Sequence, residues 1–111
     1  MKKKLKASGN GWEFYFSKPL LKLLGYDPKE DKVLITSKNG AIFIKPVFEK
    51  DIEKYKNNMV RTFQKSGGSF GIYFPIELIE ILEINPSVDF LSVEIDENIL
   101  VIKKYLENGN I

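Results

Sequence analysis

The chain contains one sequence unit twice. When the sequence is shifted by 58 positions, residues 4–46 fall on residues 62–104 without a gap. Apolar residues meet apolar residues along most of this alignment, as at Trp12 and Phe70 or Ile42 and Leu100. Ten residues of the first copy meet their own type in the second: Ser8, Gly9, Tyr15, Phe16, Leu20, Leu24, Pro28, Asp31, Ile44 and Lys45. An internal repeat constrains the fold more than any single motif, and here it predicts two copies of one small unit.

The length fixes how these copies can fold. A chain of 111 residues has the size of one ordinary domain. Each copy, residues 4–46 or 61–104, is too short to bury a sufficient core alone. We therefore expect a single domain over 1–111 in which the two repeats bury their apolar faces against each other. Residues 47–60 are the expected connector and 105–111 a short tail.

The composition argues against an enzyme. The chain has neither cysteine nor histidine, so it lacks thiolate ligands, the commonest metal ligand and the usual general base. Asp31 and Asp89 recur at matched positions and could suggest a metal or catalytic pair. No other ligand cluster accompanies them, which favours a role in stabilising turns. We expect no catalytic residues, no metal and no cofactor.

The sequence also predicts a cytoplasmic protein that does not enter a membrane. No apolar run approaches the roughly 18–20 residues of a membrane span. The lysines that follow Met1 are not succeeded by the apolar segment of a signal peptide, because the turn-forming Gly9, Asn10 and Gly11 come next.

Basic side chains gather where each repeat begins. Residues 1–10 carry Lys2, Lys3, Lys4 and Lys6 without an acid, and residues 61–75 carry Arg61 and Lys65 without an acid. The stretch from 76 to 111 is by contrast rich in Asp and Glu. Such an asymmetry can create a local positive surface at a net charge of only +2. The alternative is a solubilising N-terminal lysine run.

Both repeats follow the same plan of secondary structure, mainly β with short helices. Two strands flank a Gly-containing turn, a two-turn helix follows, and a hairpin ends the unit. Ser17 and Gly25 are the expected start and stop of the first helix, and Asn39-Gly40 is a hairpin turn signal. The predicted apolar stripes of the helices are Leu20, Leu21, Leu23 and Leu24 in repeat one and Leu78, Ile79, Ile81 and Leu82 in repeat two.

Four segments together form a recognisable pattern: residues 65–75 and 82–89, the Gly9-Asn10-Gly11 turn, and the Leu24–Pro28 segment. They resemble the AbrB/MazE-like (SpoVT-AbrB) family of prokaryotic regulators and antitoxins. The sequence departs from the family pattern in that Tyr15 and Tyr73 stand where an arginine is often found. The resemblance implies a swapped-hairpin β-barrel, formed here within one chain as an intramolecular pseudo-dimer of two tandem copies.

The resemblance also implies a function, sequence-specific binding of double-stranded DNA by a transcription regulator. The expected surface is a basic face made by the paired first strands, which begin at Lys4 and Arg61, and by their Gly-containing turns. A protein-binding, antitoxin-like module with a toxin or other protein partner is the alternative, and whether the pseudo-dimer pairs again stays open. The candidate DNA-binding residues are Lys2, Lys3, Lys4, Lys6, Asn10, Arg61, Gln64, Lys65, Ser66 and Ser69.

Overall fold

The computed structural model describes residues 1–55 and 59–106. Two seven-residue helices, α1 (Lys18–Leu24) and α2 (Ile76–Leu82), accompany ten strands, and a 3₁₀ helix spans Glu49–Lys54. The fold is mainly β, as predicted. The strands are β1 (Lys2–Lys3), β2 (Lys6–Ser8), β3 (Gly11–Phe16), β4 (Lys32–Lys38), β5 (Ala41–Val47), β6 (Val60–Thr62), β7 (Gln64–Ser66), β8 (Ser69–Phe74), β9 (Leu91–Asp96) and β10 (Ile99–Lys104).

The elements repeat with the same spacing as the sequence. Adding 58 to the bounds of β2, β3 and α1 gives the bounds of β7, β8 and α2. The strands form a four-stranded sheet in the order β2-β3-β8-β7 and a six-stranded sheet in the order β1-β9-β10-β5-β4-β6. At the centre of each sheet, the two neighbouring strands come from different repeats. They are β3 and β8 in the smaller sheet and β5 and β10 in the larger one.

One pseudo-twofold relation accounts for the register of both central pairs. In the antiparallel pair of β3 and β8, Phe14 lies opposite Ile72, its own equivalent in the other repeat. In the pair of β5 and β10, Phe43 lies opposite Val101, which is again 58 positions later. A residue that faces its own equivalent lies on the symmetry axis, so this axis passes through the middle of both sheets.

Each repeat also supplies an edge strand to the hairpin of the other. Lys2 in β1 lies opposite Ser92 in β9, and Val60 in β6 lies opposite Leu34 in β4. These two contacts are related by the same shift of 58. Strand β1 was not predicted, and β6 begins at Val60, in the segment that was expected to be the connector and one residue before the predicted start of that strand at Arg61.

The expected barrel is not closed, because the strands form two open sheets. The reason lies in the first strand of each repeat. It is interrupted between β1 and β2, where Leu5 is buried, and between β6 and β7, where Phe63 packs against the core. Each first strand thus contributes to both sheets without continuing one hydrogen-bonded ladder around the molecule.

A single hydrophobic cluster joins both sheets and both helices. Phe14 and Ile72 of the four-stranded sheet, Ile42 and Ile102 of the six-stranded sheet, and Leu82 of α2 all belong to it. Burial of apolar surface is the main favourable contribution to folding, and here that surface comes from both repeats.

The helices follow the predicted boundaries but bury narrower stripes. The hydroxyl of Ser17 accepts a hydrogen bond from the backbone N–H of Leu20 at 3.3 Å, and Gly25 ends α1 with φ +74°. Leu23 is 69% exposed and Ile81 is exposed too, so these two members of the predicted apolar stripes do not face the core. A helix of two turns presents only part of its circumference to the core.

Asp31 and Asp89 stabilise turns, which was the favoured prediction. Asp31 Oδ2 accepts from the backbone N–H of Asp27 at 2.7 Å, and Asp89 Oδ2 accepts from that of Asn85 at the same distance. Among residues 1–55 and 59–106, no group of acidic side chains is arranged to hold a metal ion. In the same ranges, no helix has the length and apolar character needed to cross a membrane.

Replacing Leu82 with alanine should destabilise the protein by about 2–5 kcal/mol, since this side chain is fully buried in the shared core. Ile76→Ala, at a site 59% exposed on the same helix, should cost only about 0.5–1 kcal/mol, because little apolar surface is buried there. Urea denaturation of both variants measures the difference. Equal losses would contradict the described packing of α2.

Glu83 ends α2 in the left-handed region, with φ +55°. The equivalent residue at the end of α1 is Gly25. This conformation costs a residue with a Cβ atom roughly 1 kcal/mol more than glycine. Glu83→Gly should therefore stabilise the protein by about 0.5–1 kcal/mol, and Gly25→Ala should destabilise it. Thermal unfolding tests both, and a lower midpoint for Glu83→Gly would refute the assignment.

Candidate nucleic-acid interface

The four-stranded sheet has one face in the core and one toward solvent. Successive side chains of a strand point to opposite faces. Phe14 is 1% exposed and Ile72 is fully buried, whereas Tyr73, the residue after Ile72, is 47% exposed. We call the solvent side the outer face. Residues that lie opposite one another on neighbouring strands share a face. By this criterion the outer face contains Lys6, Glu13, Tyr15, Gln64, Gly71 and Tyr73, with Ser66 beside them.

A chain of polar contacts crosses the outer face and joins the two edges of the sheet. Lys6 Nζ on β2 donates to the hydroxyl of Ser66 on β7 at 3.4 Å. That hydroxyl donates to Glu13 Oε1 in a short hydrogen bond. Lys6 Nζ also lies 5.7 Å from the ring centroid of Tyr15. Lys6 is therefore held above the centre of the sheet, where a ligand on this face would meet it.

Glu13 occupies space that Gly71 leaves free. These residues are equivalent in the repeat, yet one is an acid and the other has no side chain. A Cβ atom on residue 71 would lie 3.0 Å from the Glu13 carboxyl carbon and 3.1 Å from the carbonyl oxygen of Phe14. Glu13 is consequently only 6% exposed. Glu13 was not among the predicted site residues, although its alignment with a glycine in the other repeat was a signal.

Tyr73 lies across Gly11 on the same face. A Cβ atom on residue 11 would come within 2.6 Å of Tyr73 Cε1, so the ring rests directly on the backbone of β3. The guanidinium of Arg61, on β6, lies 5.8 Å from the centroid of this ring. Arg61 thus reaches the end of the outer face from the neighbouring sheet.

Two tight turns extend the sheet at opposite ends. Gly9 and Gly67 have φ of +58° and +56°, and each is the first central residue of a two-residue hairpin turn. Positive φ at that position alone is the pattern of a type II′ turn, which favours glycine. A Cβ atom would meet nothing within 4 Å at either glycine, so both turns are open to a ligand. Asn10 is exposed in the first turn.

The structure places half of the predicted DNA-binding residues on this sheet in accessible positions. Lys6, Asn10, Gln64 and Lys65 are exposed, and Ser66 is partly exposed. The expectation that the first strands lie side by side is wrong, because β2 and β7 are the two edges of the sheet. Between them lies the aromatic pair β3 and β8, which meets across the symmetry axis.

Ser69 is not available for contact with DNA, which corrects its prediction as a site residue. It is 4% exposed, and its hydroxyl donates to the carbonyl oxygen of Phe16 at 2.6 Å. A hydroxyl at the start of β8 thereby satisfies a backbone acceptor at the end of β3. Its role in this position is to hold the central strand pair.

The N-terminal lysines lie elsewhere. Lys2 Nζ is 4.2 Å and Lys4 Nζ is 5.6 Å from the centroid of Phe90, next to β9 of the six-stranded sheet. Lys3 Nζ donates to the carbonyl oxygen of Tyr15 at 2.9 Å, and partial burial lowers its pKa. The predicted cations therefore divide between two places, with Lys6 and Lys65 on the four-stranded sheet and Lys2 and Lys4 around Phe90.

Comparisons of the chain with models of protein families, with curated proteins and with solved structures found no match.

Proposed function

We propose that this protein is a sequence-specific DNA-binding regulator of the AbrB/MazE-like type that contacts duplex DNA with the outer face of its four-stranded sheet. The observation that carries the proposal is the pairing of β3 with β8 about a pseudo-twofold axis. The axis relates two hairpins, each with an open glycine turn, on one solvent-facing surface. DNA-binding dimers use the same arrangement, because a duplex presents its two strands about local twofold axes.

The exchange of edge strands supports the finer part of this proposal, a dimer fused into one chain. Strand β1 pairs with the hairpin of repeat two, and β6 pairs with the hairpin of repeat one. We propose that this is the intramolecular counterpart of the swapped hairpins that two separate AbrB/MazE-like chains form.

Strands can read DNA in the major groove, where each base pair presents a distinct pattern of donors and acceptors. Gln64 lies on the outer face opposite Gly71, so no neighbouring side chain of β8 covers its amide. Asn10 projects from the exposed turn between β2 and β3. Amides of this kind make paired hydrogen bonds with adenine. We assign base contacts to Gln64 and Asn10.

We assign the phosphate contact on the outer face to Lys6, which is exposed on β2 opposite Glu13. Lys65 is exposed on β7 but lies opposite Phe70, so its side chain leaves the sheet on the other side. Exposed lysines at the margin of a groove-binding element neutralise phosphates and release counterions, which gives affinity without sequence preference.

Lys6→Ala, which removes the ammonium on the outer face, should weaken binding to all DNA sequences and reduce the slope of log K against log salt by about one unit. Fluorescence anisotropy with DNA from upstream of the gene, titrated at several salt concentrations, measures both quantities. Lys45→Ala is the matched control, since this lysine is exposed on β5 of the six-stranded sheet. Absence of DNA binding together with absence of retention on heparin would reject the proposal and favour the protein-binding alternative.

Glu13→Gln should strengthen DNA binding by about twofold to fivefold, because a unit charge close to phosphate in water contributes up to about 1 kcal/mol. The amide oxygen of glutamine can still accept the hydrogen bond from Ser66, so the surface keeps its shape. Glu94→Gln provides a control with the same change of charge at an exposed site on β9. The same titration compares both variants, and unchanged or weaker binding by Glu13→Gln would place DNA away from the outer face.

A further inference from the structure

A cleft separates the start of α2 from the hairpin and edge strand beside it. Its volume is about 210 Å³, and its lining includes Ile35 and Ser37 of β4, Arg61 of β6, Pro75, and Glu77 and Leu78 of α2. Clefts for drug-sized ligands span roughly 300–1,000 Å³. This one therefore suits a smaller molecule than a nucleotide or a typical cofactor.

Arg61 gives the cleft a cation whose hydrogen bonds are incomplete. Its Nε is buried, and among the side chains that the structure describes it is the buried polar atom without a partner. A buried donor without an acceptor destabilises the protein. The guanidinium lies 5.8 Å from the Tyr73 ring and makes no hydrogen bond or ion pair with another described residue, so its N–H groups can donate to an anionic group bound in the cleft.

Glu77 brings the opposite charge to the same cleft. Between described residues, the only ion pair joins Lys54 to Asp51, so Arg61 and Glu77 are not paired with each other. Two unpaired opposite charges in one small space match a ligand that carries both signs itself. The remaining lining supplies apolar surface from Ile35, Pro75 and Leu78.

The place related to this cleft by the shift of 58, between β9 and the start of α1, lacks these features. Lys3 replaces Arg61, and its ammonium donates a hydrogen bond to the carbonyl oxygen of Tyr15. Pro19 stands in place of Glu77, which removes the acid. Leu20 is 2% exposed, whereas its equivalent Leu78 is only partly buried. The fold alone therefore does not require these two charges, both of which come from repeat two.

We propose that this cleft binds a free α-amino acid with a small apolar side chain. The guanidinium of Arg61 holds the carboxylate, and the carboxylate of Glu77 holds the ammonium group. The side chain of the ligand packs against Ile35 and Leu78. This function is separate from DNA binding, and either can fail without the other.

Isothermal titration calorimetry with L-leucine and L-valine tests the proposal on the unmodified protein. Two analogues of leucine remove one charge each: L-leucinamide lacks the carboxylate, and 4-methylpentanoate lacks the ammonium group. Each should bind about tenfold more weakly or worse, as expected when a charged hydrogen-bonding group loses its partner. Failure of both amino acids to bind at millimolar concentration, or equal binding of leucinamide, would overturn the proposal.

Variants of Arg61 and Glu77 test which residue binds which charged group of the ligand. Arg61→Gln should lose binding of leucine by about tenfold or more, and Glu77→Gln should abolish the preference for leucine over 4-methylpentanoate. Glu80→Gln, an exposed change on the same helix outside the cleft, should leave binding unaltered. Thermal unfolding establishes that each variant is folded. Retained affinity and preference in folded Arg61→Gln and Glu77→Gln would refute the site.

Discussion

The antiparallel pairing of β3 with β8 holds the two halves of the chain together, and most other features follow from its register. Phe14 faces Ile72 across the pseudo-twofold axis. A slip by one residue would turn the buried aromatic side chains toward solvent and bring the polar residues of the outer face into the core. Hydrophobic burial thus fixes the register, and the register in turn fixes which polar side chains share the outer face.

The same symmetry makes each half depend on the other at the edges of the six-stranded sheet. Strands β1 and β6 have only two and three residues, and each pairs with a hairpin of the opposite repeat. Short strands have little stability alone, so these edges form only where the other repeat provides a partner. The interruption at Leu5 then lets one continuous segment serve both sheets.

Local signals in the sequence were sufficient for much of the fold. Ser17 and Gly25 bound the first helix and Asn39-Gly40 turns the hairpin, because capping and positive φ depend on a few neighbouring residues. Features that depend on distant partners were not predictable. The edge strands need the other repeat, and the burial of Glu13 needs Gly71 on the adjacent strand. The candidate surface was predicted as a set of residues, but the positions of β2 and β7 within it were not.

Glu13 and Gly71 have a consequence for how such a chain can arise and vary. In a dimer of two identical copies of repeat one, a glutamate would stand at both positions, and each Cβ atom would occupy the space that the other carboxylate needs. Covalent fusion removes this conflict, because one half can gain a bulky residue while the other loses its side chain. The pair acts as a protrusion and a matching recess. It makes the two halves complementary to each other and makes repeat one a poor partner for a second copy of itself.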